Sequence, residues 1–305
     1  METIGFDAPY FTDANEARLY LEKIRWPHGS VCPHCGSKEG HYALKGKEDS
    51  KTPVRQGVWK CKTCRKQFSV TVGTVFERSH IPLNQWLLAA FLLCSSKKGM
   101  SAHQLHRMLN VQYKTAWFMF HRLRYAMDQK GKDKFQGTVE ADETYVGGKA
   151  HGKRGRGAEN KTPVFALVER NGDVRSTSVQ RVTGENLKAI IRQNAEKTAT
   201  IMTDDLNSYR GLGKEFSFHH VINHGRKEYV RGNVHTNTIE GYFSILKRGI
   251  IGVYQHVGKQ HLHRYLSEFD FRYNGRKIDD AERSVLALCG IEGKRLMYRD
   301  SSVKG

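Results

Sequence analysis

A chain of 305 residues has room for two or three domains, each with its own core, and is too long for a single small module. Its 50 lysines and arginines outnumber 31 aspartates and glutamates, and the resulting formal charge of +19 makes a polyanionic partner the natural inference. The first ten residues lack the basic and apolar regions of a secretory signal, and the longest apolar run, 86–94, falls short of the roughly 18 residues a membrane span needs, so a soluble, cytoplasmic protein is expected.

Asp13, with Glu16 three residues on, predicts the capped start of a short helix through Leu19, Leu21 and Ile24 that stops before Pro27. Two C-x-x-C pairs follow, Cys32 with Cys35 and Cys61 with Cys64; the polar stretch between them reads as the loop of a hairpin, and 68–73 as an alternating strand. An apolar helix is predicted over 84–94. Helices over 101–109 and 113–127, separated by a short turn at Asn110, have the spacing of a helix-turn-helix. Strands follow at 138–146, 164–169 and 174–179, the last two joined by the hairpin signal Asn171-Gly172. A helix at 185–193, strands at 199–203 and 216–222, and helices at 239–248 and 260–272 complete the pattern, whose order is that of an RNase-H-like α/β domain.

The fold class that results is α+β and multidomain: an N-terminal zinc ribbon and helix-turn-helix, then an RNase-H-like catalytic domain with a mixed sheet flanked by helices. The expected boundaries are 1–78 for the first helix and ribbon, 79–132 for the helical DNA-binding segment, 133–280 for the catalytic domain and 281–305 for a C-terminal tail. The Gly-rich stretch 147–157 reads as a basic insertion carrying Lys149, Lys153, Arg154 and Arg156.

In a reducing compartment paired C-x-x-C turns mean metal more often than disulfide, and each turn delivers two thiolates to one ion. Four thiolates leave no open position for a substrate, so the expected Zn²⁺ is structural. His28, His34 and His80 are read as surface or hydrogen-bond-satisfied histidines, and Cys94 and Cys289 as core residues. In the helix-turn-helix segment Gln112, Lys114 and Thr115 are best placed to meet a DNA groove; the alternative is a helical hairpin packed through Leu105, Leu109, Trp117 and Phe120.

Acids interrupt two strands that are otherwise built of β-formers, and carboxylates inside a central strand are costly unless something compensates them. Pleat alternation places Glu140, Asp142 and Thr144 on one face and Glu143 on the other, nominating Asp142 or Glu140. Asp204 directly extends the strand that ends at Thr203 and is preferred to Asp205. Glu240 lies on the helix that follows His235, with Lys247 two helical turns further along the same face. Three such carboxylates can hold two divalent ions, Mg²⁺ with Mn²⁺ as substitute, while Lys247 clamps a phosphate. The basic insertion and Arg248 would grip backbone phosphates. His235 and Asn237 would either orient the scissile phosphate or cap the helix.

The chain resembles the insertion-sequence transposases of the DDE superfamily, most of all the bacterial zinc-ribbon group, insertion-sequence family fifteen ninety-five. The resemblance is carried by the four cysteines, by the run from Glu140 through Tyr145 and Gly147 to Lys149, by Thr203 and Asp204 with Tyr209, Arg210, Gly211 and Leu212, and by His235 through Glu240 with Lys247 and Arg248. It implies Asp142, Asp204 and Glu240 as the catalytic metal ligands. It further implies binding to double-stranded DNA at terminal inverted repeats, strand cleavage, 3′-hydroxyl transfer into target DNA, a homodimer or higher assembly on DNA, and a place at the bacterial nucleoid. The rival readings are a structure-specific nuclease or resolvase on the same fold, and a non-catalytic zinc-ribbon regulator.

Overall fold

The structure, a computed structural model, describes residues 6–45, 56–129, 133–148, 160–223 and 230–298. The chain forms two compact units, one running to Asp128 and joined by the segment from Ile278 to Val303, the other comprising Gln129–Lys277. Lys149, Lys153, Arg154 and Arg156 of the expected basic insertion lie outside the described residues.

The first unit opens with α1 (Pro9–Thr12) and α2 (Ala14–Arg25). The Asp13 carboxylate accepts from the amides of Asn15 and Glu16 and so starts α2. Strands β1 (His41–Ala43), β2 (Trp59–Cys61) and β3 (Gln67–Phe68) form a small antiparallel sheet in that order. The strand expected over 68–73 ends at Phe68. Beyond it the backbone turns, with the Val72 amide on the Ser69 carbonyl, and Arg25 Nη1 collects the carbonyl oxygens of Val70 and Val72 that a strand would have given to a neighbour.

Helix α3 (Leu83–Ser95) is apolar nearly all round and buries Trp86, Leu87, Phe91 and Leu93 among others, as a core helix must. Helix α4 (Ala102–Leu109) is capped by Ser101, whose hydroxyl accepts from the Gln104 amide. Asn110 ends it in the left-handed region, at φ 51°, a conformation Asn tolerates. Helix α5 (Tyr113–Ala126) starts three residues later.

The second unit is built on strands β4 (Thr138–Gly147), β5 (Lys161–Glu169), β6 (Val174–Ser178), β7 (Thr200–Asp204) and β8 (Phe218–Ile222), in the spatial order β6-β5-β4-β7-β8. The β4–β5 and β5–β6 pairs are antiparallel, and the β4–β7 and β7–β8 pairs are parallel, which is the RNase-H-like mixed sheet. In the β5–β6 turn it is Asn171, at φ 61°, rather than Gly172 that takes the left-handed conformation.

Alternation along the strands splits the core in two. Val139 and Ala141 of β4 with Phe165 and Leu167 of β5 face helix α6 (Gly184–Asn194) through Leu187 and Ile191. Val164, Ala166 and Val168 face the other way, against Ile239, Tyr242 and Leu246 of α7 (Asn237–Gly249) and Leu266 and Phe269 of α8 (Leu262–Asn274). Each such side chain contributes on the order of 1.5–3 kcal/mol on full burial, so both helical layers are fixed to the sheet by several strong contacts. After α7 the chain widens into one π-helical turn, Ile250–Tyr254.

The segment expected as a tail carries helix α9 (Asp280–Cys289), started by Asp279, whose carboxylate accepts from the Glu282 amide. It packs on α3 in the first unit, where Arg283 Nη1 donates to the Cys94 carbonyl at 2.9 Å. No helix among the described residues is long and apolar enough to cross a membrane.

Candidate active site and metal centre

Cys32, Cys35, Cys61 and Cys64 converge from two turns, their sulfurs all within 4.8 Å of one another. The Cys32–Cys64 and Cys35–Cys61 sulfurs are 3.7 Å apart. That is too long for a disulfide, whose S–S bond is about 2.05 Å. It is the edge of a tetrahedron with bonds of about 2.3 Å, for which geometry gives about 3.8 Å. The backbone amide of Cys64 holds the Cys61 thiol below its ordinary range, which favours the thiolate form, while the neighbouring sulfurs of the cluster oppose ionisation of Cys35. The donor set therefore fits a closed structural Zn²⁺ site.

In the second unit Asp142 and Asp204 stand where β4 and β7 part. Pairing between these strands runs only from Thr138–Thr200 to Glu140–Met202. Asp142 and Asp204 each lie two residues further on, flanking the mouth where the ladder stops, a common place for ligands in an α/β sheet. Asp204 is half-buried and accepts from the Leu206 amide at 3.1 Å, whereas Asp205 is exposed beyond the strand. Glu240 sits in the first turn of α7, and its Oε1 accepts from the Thr236 hydroxyl at 3.2 Å.

Burial, with the negative charges of Glu143, Asp204 and Glu240 added, pushes the Asp142 carboxyl up to about 8. A divalent cation would relieve this repulsion, and the oxygen-only donor set suits Mg²⁺. Among the described residues the four cysteines are the one group of three or more potential ligands drawn together closely enough to hold a metal ion; Asp142, Asp204 and Glu240 do not form such a group.

Glu143, on the opposite face of β4, accepts from the hydroxyl of Tyr209 at 2.9 Å. Burial, first, and the neighbouring acids hold that phenol well above its ordinary range, so Tyr209 remains a proton donor. Sequence reasoning missed this pair, although Tyr209 stands five residues after Asp204. It also missed Arg170, whose Nε donates to Glu140 at 2.7 Å and whose Nη2 donates to His235 Nδ1 at 3.0 Å. Glu140, left open at first as an alternative cation ligand, is wholly buried and fully partnered by Arg170, Thr238 and Ile239.

The α7 surface carries Lys247 and Arg248, both exposed, with Arg248 Nη2 on the Ser244 hydroxyl at 2.6 Å. Asn237 is exposed at the helix start, and the His235 side chain is a quarter exposed. In the first unit Gln112 and Lys114 are exposed and Thr115 is half-exposed at the start of α5, while Leu105, Leu109 and Phe120 are buried between the helices. One helix pair thus satisfies the packing reading and leaves the polar start of α5 open.

Residues 134–274 match the ISXO2-like transposase domain, and residues 12–67 match a transposase zinc-ribbon domain. The chain is also 30% identical over 285 residues to an uncharacterized protein in transposable element ISH50 of Halobacterium salinarum, an alignment that covers 86% of this chain and 91% of that relative. A zinc ribbon and a mixed α/β sheet thus stand in the order that these matches require, and the relative aligns through both, so the chain belongs to the ISXO2-like family of insertion-sequence transposases.

Proposed function

We propose that this transposase binds the terminal inverted repeats of its element, cleaves the strand there and joins the freed 3′-hydroxyl to target DNA. The observation that carries the reading is the mouth between β4 and β7, where Asp142 and Asp204 each lie two residues past the last pair of the ladder and the charges of Asp204 and Glu240 reach Asp142. Asp142, Asp204 and Glu240 would hold Mg²⁺, whose chemistry when bound would be to acidify an attacking hydroxyl and to stabilise a leaving oxygen. Lys247 and Arg248 set the DNA backbone along α7, and Lys114 with Gln112 and Thr115 at the start of α5 reads or grips the repeat.

In the first stage water adds to the scissile phosphorus, the bond to the 3′-oxygen breaks and the water's proton leaves. In the second the 3′-hydroxyl adds to a target phosphodiester and displaces its 3′-oxygen. No covalent bond to the protein is required. Two ends must be held together, so the working assembly is a homodimer or larger.

The test is incubation of the zinc-loaded protein with DNA carrying the gene's immediate flanks, with and without added Mg²⁺, beside Asp142→Ala. Discrete nicks at the repeat ends that need both Mg²⁺ and Asp142, followed by joined products, are the expected result. Cutting without joining would turn the reading to a nuclease, and end-specific binding with no cutting in Mg²⁺ or Mn²⁺ to a regulator.

A further inference from the structure

Glu140 is the one wholly buried acid of β4. Its Oε2 accepts from the amides of Thr238 at 2.8 Å and Ile239 at 3.0 Å, and its Oε1 from Arg170 Nε at 2.7 Å and the Thr238 hydroxyl at 3.0 Å. An anion is favoured at those amides because they are the unsatisfied donors at the positive end of a helix. Thr236, the residue in cap position, makes no side-chain cap to α7 and donates instead to Glu240. The cap of α7 therefore comes from a neighbouring strand.

Arg170 extends the same network into the segment that enters α7. Its Nη1 donates to the Asn233 carbonyl at 2.7 Å, and its Nη2 to both the carbonyl and Nδ1 of His235, at 2.9 and 3.0 Å. The same Nη2 lies 3.0 Å from Met202 Sδ, so its two hydrogens are shared among three acceptors. His235 Nδ1 also lies 3.4 Å from Glu140 Oε1.

Glu140 precedes Asp142 by two residues on one face of β4, and the amides it holds belong to the two residues just before Glu240. We propose that Glu140 and Arg170 are positioning residues, a latch that fixes the distance between the strand bearing Asp142 and the helix bearing Glu240. The proposal rests on the reading of Asp142, Asp204 and Glu240 as cation ligands. Glu140 itself takes no metal, since its oxygens are occupied by four donors.

The test measures Mn²⁺ affinity of the zinc-loaded protein by water-proton relaxation, together with turnover on flank DNA and DNA affinity, for wild type, Glu140→Gln, Arg170→Lys and Asp142→Asn. Glutamine keeps the shape but loses the charge; lysine keeps the charge but cannot span Glu140, Asn233 and His235. Both latch variants are expected to weaken Mn²⁺ binding and turnover by about 10- to 100-fold, the usual cost of disturbing residues behind metal ligands, with DNA affinity unchanged. Wild-type Mn²⁺ affinity in the two folded latch variants would overturn the proposal, as would a loss of turnover that only follows the loss of folded protein. If Glu140→Gln fails to fold, Arg170→Lys decides by the same readings. If Asp142→Asn binds Mn²⁺ as wild type does, it is the cation site that has been misplaced; if wild type binds Mn²⁺ but cuts nothing, the transposition chemistry has failed and the latch is still judged on Mn²⁺ affinity.

Discussion

Asp142, proposed above as a cation ligand, sits where its charge works against the fold. Its carboxyl, desolvated by burial and in the field of Glu143, Asp204 and Glu240, is pushed up to about 8, whereas in the unfolded chain it ionises near 3.8. Between those values the folded state binds a proton that the unfolded state has lost, so in the absence of Mg²⁺ this residue lowers stability progressively as pH rises through the window, and the full loss is reached above about 8. Asparagine resembles the protonated acid and has no such dependence. In zinc-loaded protein without added Mg²⁺, Asp142→Asn is therefore expected to melt above wild type, by a margin that widens from pH 5 to pH 8.5. Added Mg²⁺ should raise the wild-type melting temperature at pH 8.5 and leave the variant where it was. Equal melting curves at both pH values would remove Asp142 from the acidic cluster. The variant should at the same time lose cleavage by at least about a thousandfold, the scale on which removal of a central catalytic group is felt, so that stability and activity move in opposite directions.

Among the elements, the ribbon depends most on what binds it. Strands of three, three and two residues cannot hold a sheet together. A structural zinc contributes an apparent binding free energy on the order of 10–16 kcal/mol, which supplies the missing stability. Cys61→Ser is expected to leave less than one zinc per chain by metal analysis and to abolish preference for element ends over random DNA in a competition assay; one full zinc with intact preference would show that the fourth sulfur is dispensable. The ribbon's cysteines were legible because ligand spacing is local. So were β4, β7 and α7, whose observed limits lie within about two residues of the expected ones, since alternation and helical periodicity are written along the chain. The strand expected beyond Phe68 was not formed because Arg25, more than forty residues earlier, takes the Val70 and Val72 carbonyls. Helix α9 had a readable start in Asp279 and Glu282 but was passed over as a tail. The turn Ile250–Tyr254, apolar and β-branched, carries no signal for a widened helix. Arg170 lies thirty residues from Glu140 in sequence and meets it only once β4 and β5 have paired, so no window of sequence could have joined them.

At the scale of the whole molecule, the charge of +19 needs a use, because unbalanced positive charge repels itself and is tolerated only where a partner or solubility requires it. The two uses differ in a measurable way. Cations that only solvate the surface leave DNA affinity nearly flat with salt, whereas each cation that neutralises a phosphate on B-DNA adds about 0.9 to the slope of log affinity against log salt. The exposed Lys114 at the start of α5 and the exposed Arg248 near the end of α7 lie in different units of the chain. Lys114→Ala and Arg248→Ala are each expected to reduce the slope by about one when binding to element-end DNA is titrated between 50 and 200 mM salt, and the double variant by about two. The single variants should part company on random DNA: Arg248→Ala should weaken binding to both DNAs alike, since a backbone grip is blind to sequence, and Lys114→Ala should cost more on the element end if α5 enters a groove. An unchanged slope in Lys114→Ala would return α4 and α5 to the role of a packed helical hairpin and leave recognition of the element to the ribbon.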